Sequence, residues 1–237
     1  MRDKPLVLVI DLDETIVYVD ELHKLSPTDC TIFYRSEIYD FINYMRQWFK
    51  NNIFIILWSA GEDSYVREIV FRLNIPFDLI LTCNDCDKSI LEYDDTMKSV
   101  SYVRNHEYVN KWIKTKIMDM TVGSIVYAII DDKAFENSSC DDPYTYTFCI
   151  TPINLKTTLN DTIAGTMFAT VESLFEIGDF LIYQCIMKPY VTFAICKNNN
   201  YTNNEIKFSI EVDDDKSNGV KPIRNYNIHE SGIVSFA

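Results

Sequence analysis

Three short apolar runs, rich in β-branched residues, set the strongest limit on how this chain can fold. They are residues 5–10 (PLVLVI), 53–58 (IFIILW) and 124–130 (SIVYAII). Unbroken runs of this kind are typical of strands buried on both faces of a parallel sheet. Apolar residues recur at helical spacing over 37–50, before the second run, and again over 66–73, after it. Strands that alternate with helices predict a doubly wound, mainly parallel α/β sheet of the Rossmann type.

The alternation of strands and helices weakens beyond about residue 152, which divides the chain into two parts. Residues 1–152 are expected to form the α/β core, since 47% hydrophobic residues in a chain of 237 suffice to fill one. Residues 153–237 are expected to form a small C-terminal extension, rich in β-strand and of unknown role. The remaining predicted elements are helices over 107–116 and 163–177 and strands over 31–34, 77–82, 180–187, 190–196 and 205–212.

Charge and cysteine usage limit the classes of partner and compartment. The net charge of −13 leaves no basic surface for direct nucleic-acid binding and favours a basic partner instead. Seven cysteines at irregular spacings, with no secretory leader ahead of them, predict reduced thiols in an intracellular protein of the cytoplasm or nucleus. The apolar stretch 180–196 contains Lys188 and Pro189 and is too short for a transmembrane helix, so no membrane span is expected.

Acidic and hydroxyl side chains directly follow the predicted strands, at the positions where open α/β sheets bind their ligands. Asp11 and Asp13 follow the first run, Ser59 follows the second, and Asp131 and Asp132 follow the third. Side chains alternate along an extended chain, so Asp11 and Asp13 project to the same side. Four carboxylates crowded into one cavity repel each other unless a cation lies between them. Oxygen ligands of this kind favour Mg²⁺ over zinc.

The segment Asp11-Leu12-Asp13-Glu14-Thr15 resembles the Asp-x-Asp-x-Thr motif of haloacid dehalogenase superfamily phosphatases. It is most similar to that of the RNA polymerase II C-terminal-domain phosphatases and the NLI-interacting-factor-like family. The resemblance covers about residues 5–150 and implies the haloacid dehalogenase fold. Further matches follow in the order of this family: Arg35 ahead of a helix, Trp58-Ser59-Ala60-Gly61 and Ile129-Ile130-Asp131-Asp132.

The resemblance implies a role for each of these side chains. Asp11 would be the nucleophile that forms an aspartyl-phosphate, and Asp13 would be the general acid and base. The Mg²⁺ ion would be held by Asp11, the backbone carbonyl of Asp13, Asp131 and Asp132. The Ser59 hydroxyl would hydrogen bond to the phosphoryl group. The full substrate-binding set would be Thr15, Ser59 and Ala60.

The resemblance also implies a lysine between Ser59 and Asp131, in a segment that usually reads Lys-Asp-Leu-Ser. A fixed cation beside the nucleophile would stabilise both the carboxylate and the bound phosphate. We expect this lysine to be Lys116, which lies fifteen residues before Asp131. Lys114 is the alternative, and Lys111 is the third choice.

A Mg²⁺-dependent phosphomonoester hydrolase is the activity that the resemblance implies, and we expect it to act on phosphoserine or phosphothreonine in a protein. Residues 17–34 are too few for the large cap of other superfamily members, so we expect a short flap. An open pocket suits a protein segment better than a metabolite that must be enclosed. Two alternatives stay open: a small-molecule phosphatase, and a non-catalytic interaction or structural protein like the mitochondrial inner-membrane translocase subunit of this family.

Two further features bear on the partner and the source. Residues 84–104 correspond to a small insert that the family uses near its substrate. Their acidic side chains would either attract a basic phosphoprotein or simply be solvated. The frequent Ile, Asn, Lys and Tyr are typical of AT-rich genomes, and large DNA viruses encode similar phosphatase-like proteins. A viral source, with an intracellular location in the host, is therefore one interpretation.

Overall fold

A parallel sheet forms the centre of the molecule. The computed structural model describes residues 4–20, 31–93, 96–116, 125–138, 144–153 and 173–187, and four short strands further along the chain. The strands up to residue 149 are β1 (Leu6–Ile10), β2 (Val17–Asp20), β3 (Thr31–Tyr34), β4 (Ile53–Trp58), β5 (Leu79–Leu81), β6 (Val126–Asp131) and β7 (Thr145–Cys149). Five of them form the sheet, all parallel, in the order β5-β4-β1-β6-β7.

Helices cover both faces of this sheet. They are α1 (Ile38–Phe49), α2 (Asp63–Leu73), α3 (Cys83–Tyr93), α4 (Val100–Asn105), α5 (Glu107–Lys116), α6 (Ala134–Asn137) and α7 (Leu174–Ile182). Because side chains alternate along a strand, Leu6, Leu8 and Ile10 of β1 join the apolar cluster that α1, α2 and α7 complete. Val7 and Val9 join the opposite cluster, formed with α3, α4 and α5. The predicted doubly wound α/β fold is confirmed.

The central position of β1 brings three chain segments to one edge of the sheet. β1 pairs with β4 on one side and with β6 on the other, and Ile10 is level with both Leu57 and Ile130. Residues that follow these three strands therefore emerge next to each other at the carboxyl edge, where α/β proteins bind ligands.

The chain between β1 and α1 forms a short hairpin. Its strands β2 and β3 are antiparallel, with Val17 opposite Tyr34. The backbone N–H of Arg35 donates to the Ile16 carbonyl at 2.8 Å and closes the hairpin at its base. This hairpin corresponds to the short flap predicted over 17–34, and residues 21–30 lie outside the described part of the chain.

Residues 84–104, expected to be an insert, are part of the core. They contribute α3 and most of α4, and they bury Cys86, Val100 and Val103 against the sheet. The capping residues of α3 are visible in the sequence: the Thr82 backbone N–H donates to the Asp85 carboxylate at 3.0 Å. The sequence does not reveal these helices, because short amphipathic helices carry few apolar residues.

The strand predicted over 180–187 is wrong. Residues 180–182 belong to α7, and Tyr183–Met187 continue it as a π-helical turn. Segments that are apolar on all sides fit a buried helix as well as a buried strand, and periodicity cannot separate them. The helix predicted over 163–177 is confirmed in part, since α7 begins at Leu174, while residues 163–172 lie outside the described part of the chain.

The core therefore extends beyond the predicted boundary at residue 152, because α7 packs against α1. Leu174, Ile177 and Phe180 are buried in the same cluster as β1. Gly178 permits the close approach of the two helices, since a Cβ there would lie 3.2 Å from both Phe41 and Met45.

The residue that precedes α1 also fixes the start of α7. Glu37, just before α1, accepts hydrogen bonds from the Leu174 backbone N–H at 2.6 Å and from the Ser173 hydroxyl at 3.1 Å. An acidic group at this position compensates the partial positive charge of a helix N-terminus. At the other end of the pair, Tyr44 donates to the Asp179 carboxylate at 2.6 Å.

The predicted β-rich extension contains a second sheet. Its strands β8 (Phe193–Ile195), β9 (Ile206–Ile210), β10 (Tyr226–Ile228) and β11 (Val234–Phe236) are antiparallel in the order β11-β10-β9-β8. The first two fall within the strands predicted over 190–196 and 205–212. Among the residues that the structure describes, we find no helix with the length and apolarity needed to cross a membrane.

Candidate active site

The site lies at the carboxyl edge of the sheet, after β1, β4 and β6. Asp11 continues the parallel pairing of β1, because its backbone N–H donates to the Ile130 carbonyl at 2.9 Å. Asp131 is the last residue of β6, and its side chain is 0% exposed. Ser59 follows β4 and is held by a backbone hydrogen bond to the Leu81 carbonyl at 3.1 Å.

The Asp-x-Asp-x-Thr segment makes a tight turn after β1. The backbone N–H groups of Ile16 and Val17 both donate to the Leu12 carbonyl, at 2.8 and 3.0 Å. Glu14 takes a left-handed conformation with φ of 61°, which is uncommon for a residue other than glycine. The Arg35 guanidinium connects this turn to the segment after β7, because it donates to the carbonyls of Thr15 at 2.9 Å and Thr151 at 2.6 Å.

Lys98 is the lysine beside the predicted nucleophile. Its ammonium group donates to Asp11 Oδ1 and to Asp131 Oδ2, both at 2.5 Å, and the residue is 1% exposed. Burial opposes its charge, but the carboxylates of Asp11 and Asp131 more than offset that effect and raise the pKa of Lys98 above its ordinary value. Lys98 is therefore a fixed cation between two carboxylates.

The prediction of Lys116 for this position is wrong. Lys116 ends α5, and its ammonium group lies 5.6 Å from the centre of the Trp112 ring. Since α5 leads back toward the start of β6, its last turn lies away from the carboxyl edge of the sheet, where the site is. The alternatives Lys114 and Lys111 lie on the same helix and are exposed.

A signal in the sequence could have identified Lys98. Residues Lys98-Ser99-Val100-Ser101 retain the lysine, an apolar residue and the final serine of the expected Lys-Asp-Leu-Ser segment. Locally, the Ser99 hydroxyl caps α4 by accepting from the Ser101 backbone N–H at 3.1 Å. Asn137 supports the same place: its carbonyl accepts from the Lys98 backbone N–H at 2.8 Å, and its amide donates to Asp131 at 3.1 Å.

Three carboxylates meet at the predicted metal position. Oxygen atoms of Asp11, Asp131 and Asp132 all lie within 4.8 Å of one another. Burial raises the pKa of Asp11 to about 7, with Lys98 acting against this and Asp131 adding to it. Burial, with the neighbouring charge of Asp131, likewise raises the pKa of Asp132 to about 6. The single positive charge of Lys98 does not balance three carboxylates when all are ionised. Their oxygen atoms are the ligands that a hard divalent cation prefers.

Asp13 lies outside this three-carboxylate group, and its side chain is held by two hydroxyls. Ser59 donates to Asp13 Oδ2 at 3.0 Å, and Tyr65, from the first turn of α2, donates to Asp13 Oδ1 at 2.5 Å. The Gly61 backbone N–H donates to the Ser59 hydroxyl at 2.9 Å and orients it. Sequence reasoning missed Tyr65, because a hydrogen bond from a half-buried helix residue leaves no periodic signal.

Thr15 connects the turn after β1 to Asp132, which directly follows β6. Its hydroxyl accepts from the Asp132 backbone N–H at 3.0 Å and donates to the Asp132 carboxylate at 3.5 Å. The residue is 0% exposed and both of these hydrogen bonds lie within the protein, while its predicted contact with the substrate stays a prediction. Ala60 is exposed beside Ser59, and the substrate contacts of these two residues stay predictions.

The fold and the site define a phosphatase of the haloacid dehalogenase type. The model of the NLI interacting factor-like phosphatase family matches residues 6–128, just over half of the chain, and the chain belongs to this family. No curated protein matches it in a sequence search. The matched residues include Asp11, Asp13, Ser59 and Lys98, whereas Asp131, Asp132 and α7 lie beyond them.

Proposed function

We propose that this protein is a Mg²⁺-dependent phosphomonoester hydrolase that acts on phosphoserine or phosphothreonine in a protein. The observation that carries the proposal is Lys98, which holds the buried carboxylate of Asp11 in place at 2.5 Å while Asp13 lies two residues further along the turn. A nucleophile, a fixed cation and an acid are the groups that phosphoryl transfer through a covalent intermediate needs.

The first step transfers the phosphoryl group to Asp11. A carboxylate oxygen of Asp11 attacks phosphorus and forms an aspartyl-phosphate, while the bond between phosphorus and the ester oxygen breaks. The leaving oxygen takes a proton from the carboxylic acid form of Asp13. Lys98 stabilises the negative charge on the phosphoryl oxygens without moving, because both of its carboxylate partners hold it.

The second step releases phosphate. Asp13, now a carboxylate, takes a proton from a water molecule as the water oxygen attacks phosphorus. The bond between phosphorus and Asp11 breaks, which restores the Asp11 carboxylate and yields inorganic phosphate. One side chain thus serves as acid and then as base, and the protein ends in its starting state.

The metal ligands in this proposal are Asp11, Asp131 and Asp132, with the backbone carbonyl of Asp13 as the fourth group that the family resemblance implies. The three carboxylates fit this purpose, since they lie within reach of a common ion and carry more charge than Lys98 neutralises. Bound Mg²⁺ would supply positive charge to the phosphoryl oxygens.

A protein substrate is supported by the short flap and by the charge of the chain. The short hairpin of β2 and β3 stands where a large cap would be inserted, and a site without a large cap would admit an extended segment of another protein. The net charge of −13 favours a basic substrate protein. An intracellular location and a source in a large DNA virus rest on composition alone and stay predictions.

The test is hydrolysis of 4-nitrophenyl phosphate with and without Mg²⁺, comparing wild type with Asp11→Asn. We expect Mg²⁺-dependent turnover that Asp11→Asn abolishes. Asp40→Asn makes the same change on the exposed face of α1 and should keep full activity. A phosphoserine peptide and a sugar phosphate, offered separately, then distinguish a protein phosphatase from a small-molecule phosphatase.

If folded wild type and Asp11→Asn are equally inert, the enzyme proposal is refuted and the non-catalytic interaction protein is favoured. If the sugar phosphate is hydrolysed and the phosphopeptide is not, the activity stands and the protein substrate is refuted.

A further inference from the structure

The hydroxyl of Tyr65 directly contacts Asp13, the predicted general acid. The mechanism above does not use this contact. The hydroxyl donates to Asp13 Oδ1 at 2.5 Å, the shorter of the two hydroxyl bonds to that carboxylate. Tyr65 lies on a helix, α2, and not on the turn that carries Asp13. The orientation of Asp13 is therefore set by a separate and regular element of the fold.

Gly61 leaves the space that the Tyr65 ring occupies. A Cβ at this position would lie 2.8 Å from Tyr65 Cδ1 and 3.1 Å from the Ser59 hydroxyl. The first distance is too short for a carbon–carbon contact, so any larger residue would displace the ring. Because Gly61 has no side chain, the hydroxyl groups of Tyr65 and Ser59 can both keep their positions beside Asp13.

The two oxygens of Asp13 have different tasks when it acts as an acid. A carboxylic acid carries its proton on one oxygen, and the other remains a carbonyl acceptor. Tyr65 can donate to Oδ1 whether or not Asp13 is protonated, which leaves Oδ2 to carry the proton toward the leaving group. Ser59 can then turn its hydroxyl from Oδ2 to the phosphoryl oxygen, as the family resemblance implies.

We propose that Tyr65 is a positioning residue for Asp13, and that it adapts the site to esters whose leaving oxygen is strongly basic, such as those of serine and threonine. The inference rests on the proposed function. Acid catalysis matters most when the leaving oxygen is a strong base, because that oxygen departs only if it is protonated. A misaligned Asp13 should therefore impair such esters selectively.

The test compares two aryl esters of nearly equal size, 4-nitrophenyl phosphate and phenyl phosphate, with a phosphoserine peptide. The nitro group makes the leaving oxygen a much weaker base, so that its departure needs little acid catalysis. The value of kcat/KM reports the steps up to leaving-group departure. Since acid catalysis contributes about 10²–10⁴-fold, we expect Tyr65→Phe to lose at least roughly tenfold more on phenyl phosphate and the peptide than on 4-nitrophenyl phosphate.

Tyr44→Phe is the matched control, since it removes a hydroxyl bond of 2.6 Å to a carboxylate far from the site, that of Asp179. It should leave the ratio between the three substrates unchanged. Gly61→Ala, which displaces the Tyr65 ring, should shift the ratio in the same direction as Tyr65→Phe.

Equal losses of Tyr65→Phe on the two aryl esters would overturn the positioning role while leaving the phosphatase intact. A loss on the peptide alone would show that Tyr65 contacts the substrate and would also overturn it. A wild-type chain that hydrolyses none of the three esters would overturn the phosphatase itself.

Discussion

Replacement of Lys98 by methionine removes the cation at the centre of the site and keeps a side chain of similar length. The ammonium group contacts Asp11 and Asp131 at 2.5 Å in a buried position. Loss of one partner from a buried ion pair costs about 3–5 kcal/mol, because the charge that remains has no compensation. For a chain of this size, 1 kcal/mol lowers the melting temperature by roughly 2–4 °C. We expect Lys98→Met to melt roughly 6–20 °C below wild type.

Activity should fall as well, because the same ammonium group would face the phosphoryl oxygens. Removal of one fixed donor at such a site lowers kcat by about 10²–10³-fold. Circular dichroism gives the melting temperature and hydrolysis of 4-nitrophenyl phosphate gives the rate. Lys116→Met, on α5, is the matched control and should change stability by less than about 0.5 kcal/mol. Equal losses in the two variants would refute the assignment of Lys98, as would a Lys98→Met protein with wild-type stability and rate.

Three further predictions concern the metal, the core and pH. Mg²⁺ at a hundred times its Kd should stabilise the fold by about 2.7 kcal/mol, and a melting scan should show that EDTA or Asp132→Asn removes this gain. Phe180→Ala should cost about 3–5 kcal/mol in a denaturant titration, since its ring packs between those of Tyr146 and Phe148; a loss below 1 kcal/mol would contradict α7 as a core helix. Burial lowers the pKa of His106, so its neutral form is favoured in the fold and the contribution of this side chain to stability falls as pH drops below 6.5; in parallel melting scans from pH 7.5 to 5, wild type should therefore lose melting temperature relative to His106→Gln.

The meeting of Asp11, Asp131 and Asp132 could be predicted from the sequence because each follows a run of apolar residues. Such runs identify buried parallel strands, and the carboxyl ends of parallel strands share an edge. The helices predicted between these runs indicate that the strands are parallel.

Lys98 and α7 could not be predicted in this way. Lys98 lies between two short helices, where the backbone has no strand or long helix whose period would mark it. Its only mark in the sequence is the short Lys-x-apolar-Ser pattern of residues 98–101, and its place beside Asp11 depends on how α4 packs against the sheet. α7 is buried on nearly every side, so its apolar residues show no face that would separate a helix from a strand.

The helix α7 has a practical consequence for anyone who prepares this protein. A shortened gene that stops at residue 152 would still encode every acidic group of the candidate active site. The shortened protein would, however, leave Phe41 and Met45 of α1 exposed to water. Exposed apolar surface of this kind promotes aggregation during expression. A well-behaved fragment therefore has to run through Met187. During synthesis on the ribosome, by the same reasoning, the apolar cluster of β1, α1 and α2 is complete only after α7 has left the exit tunnel.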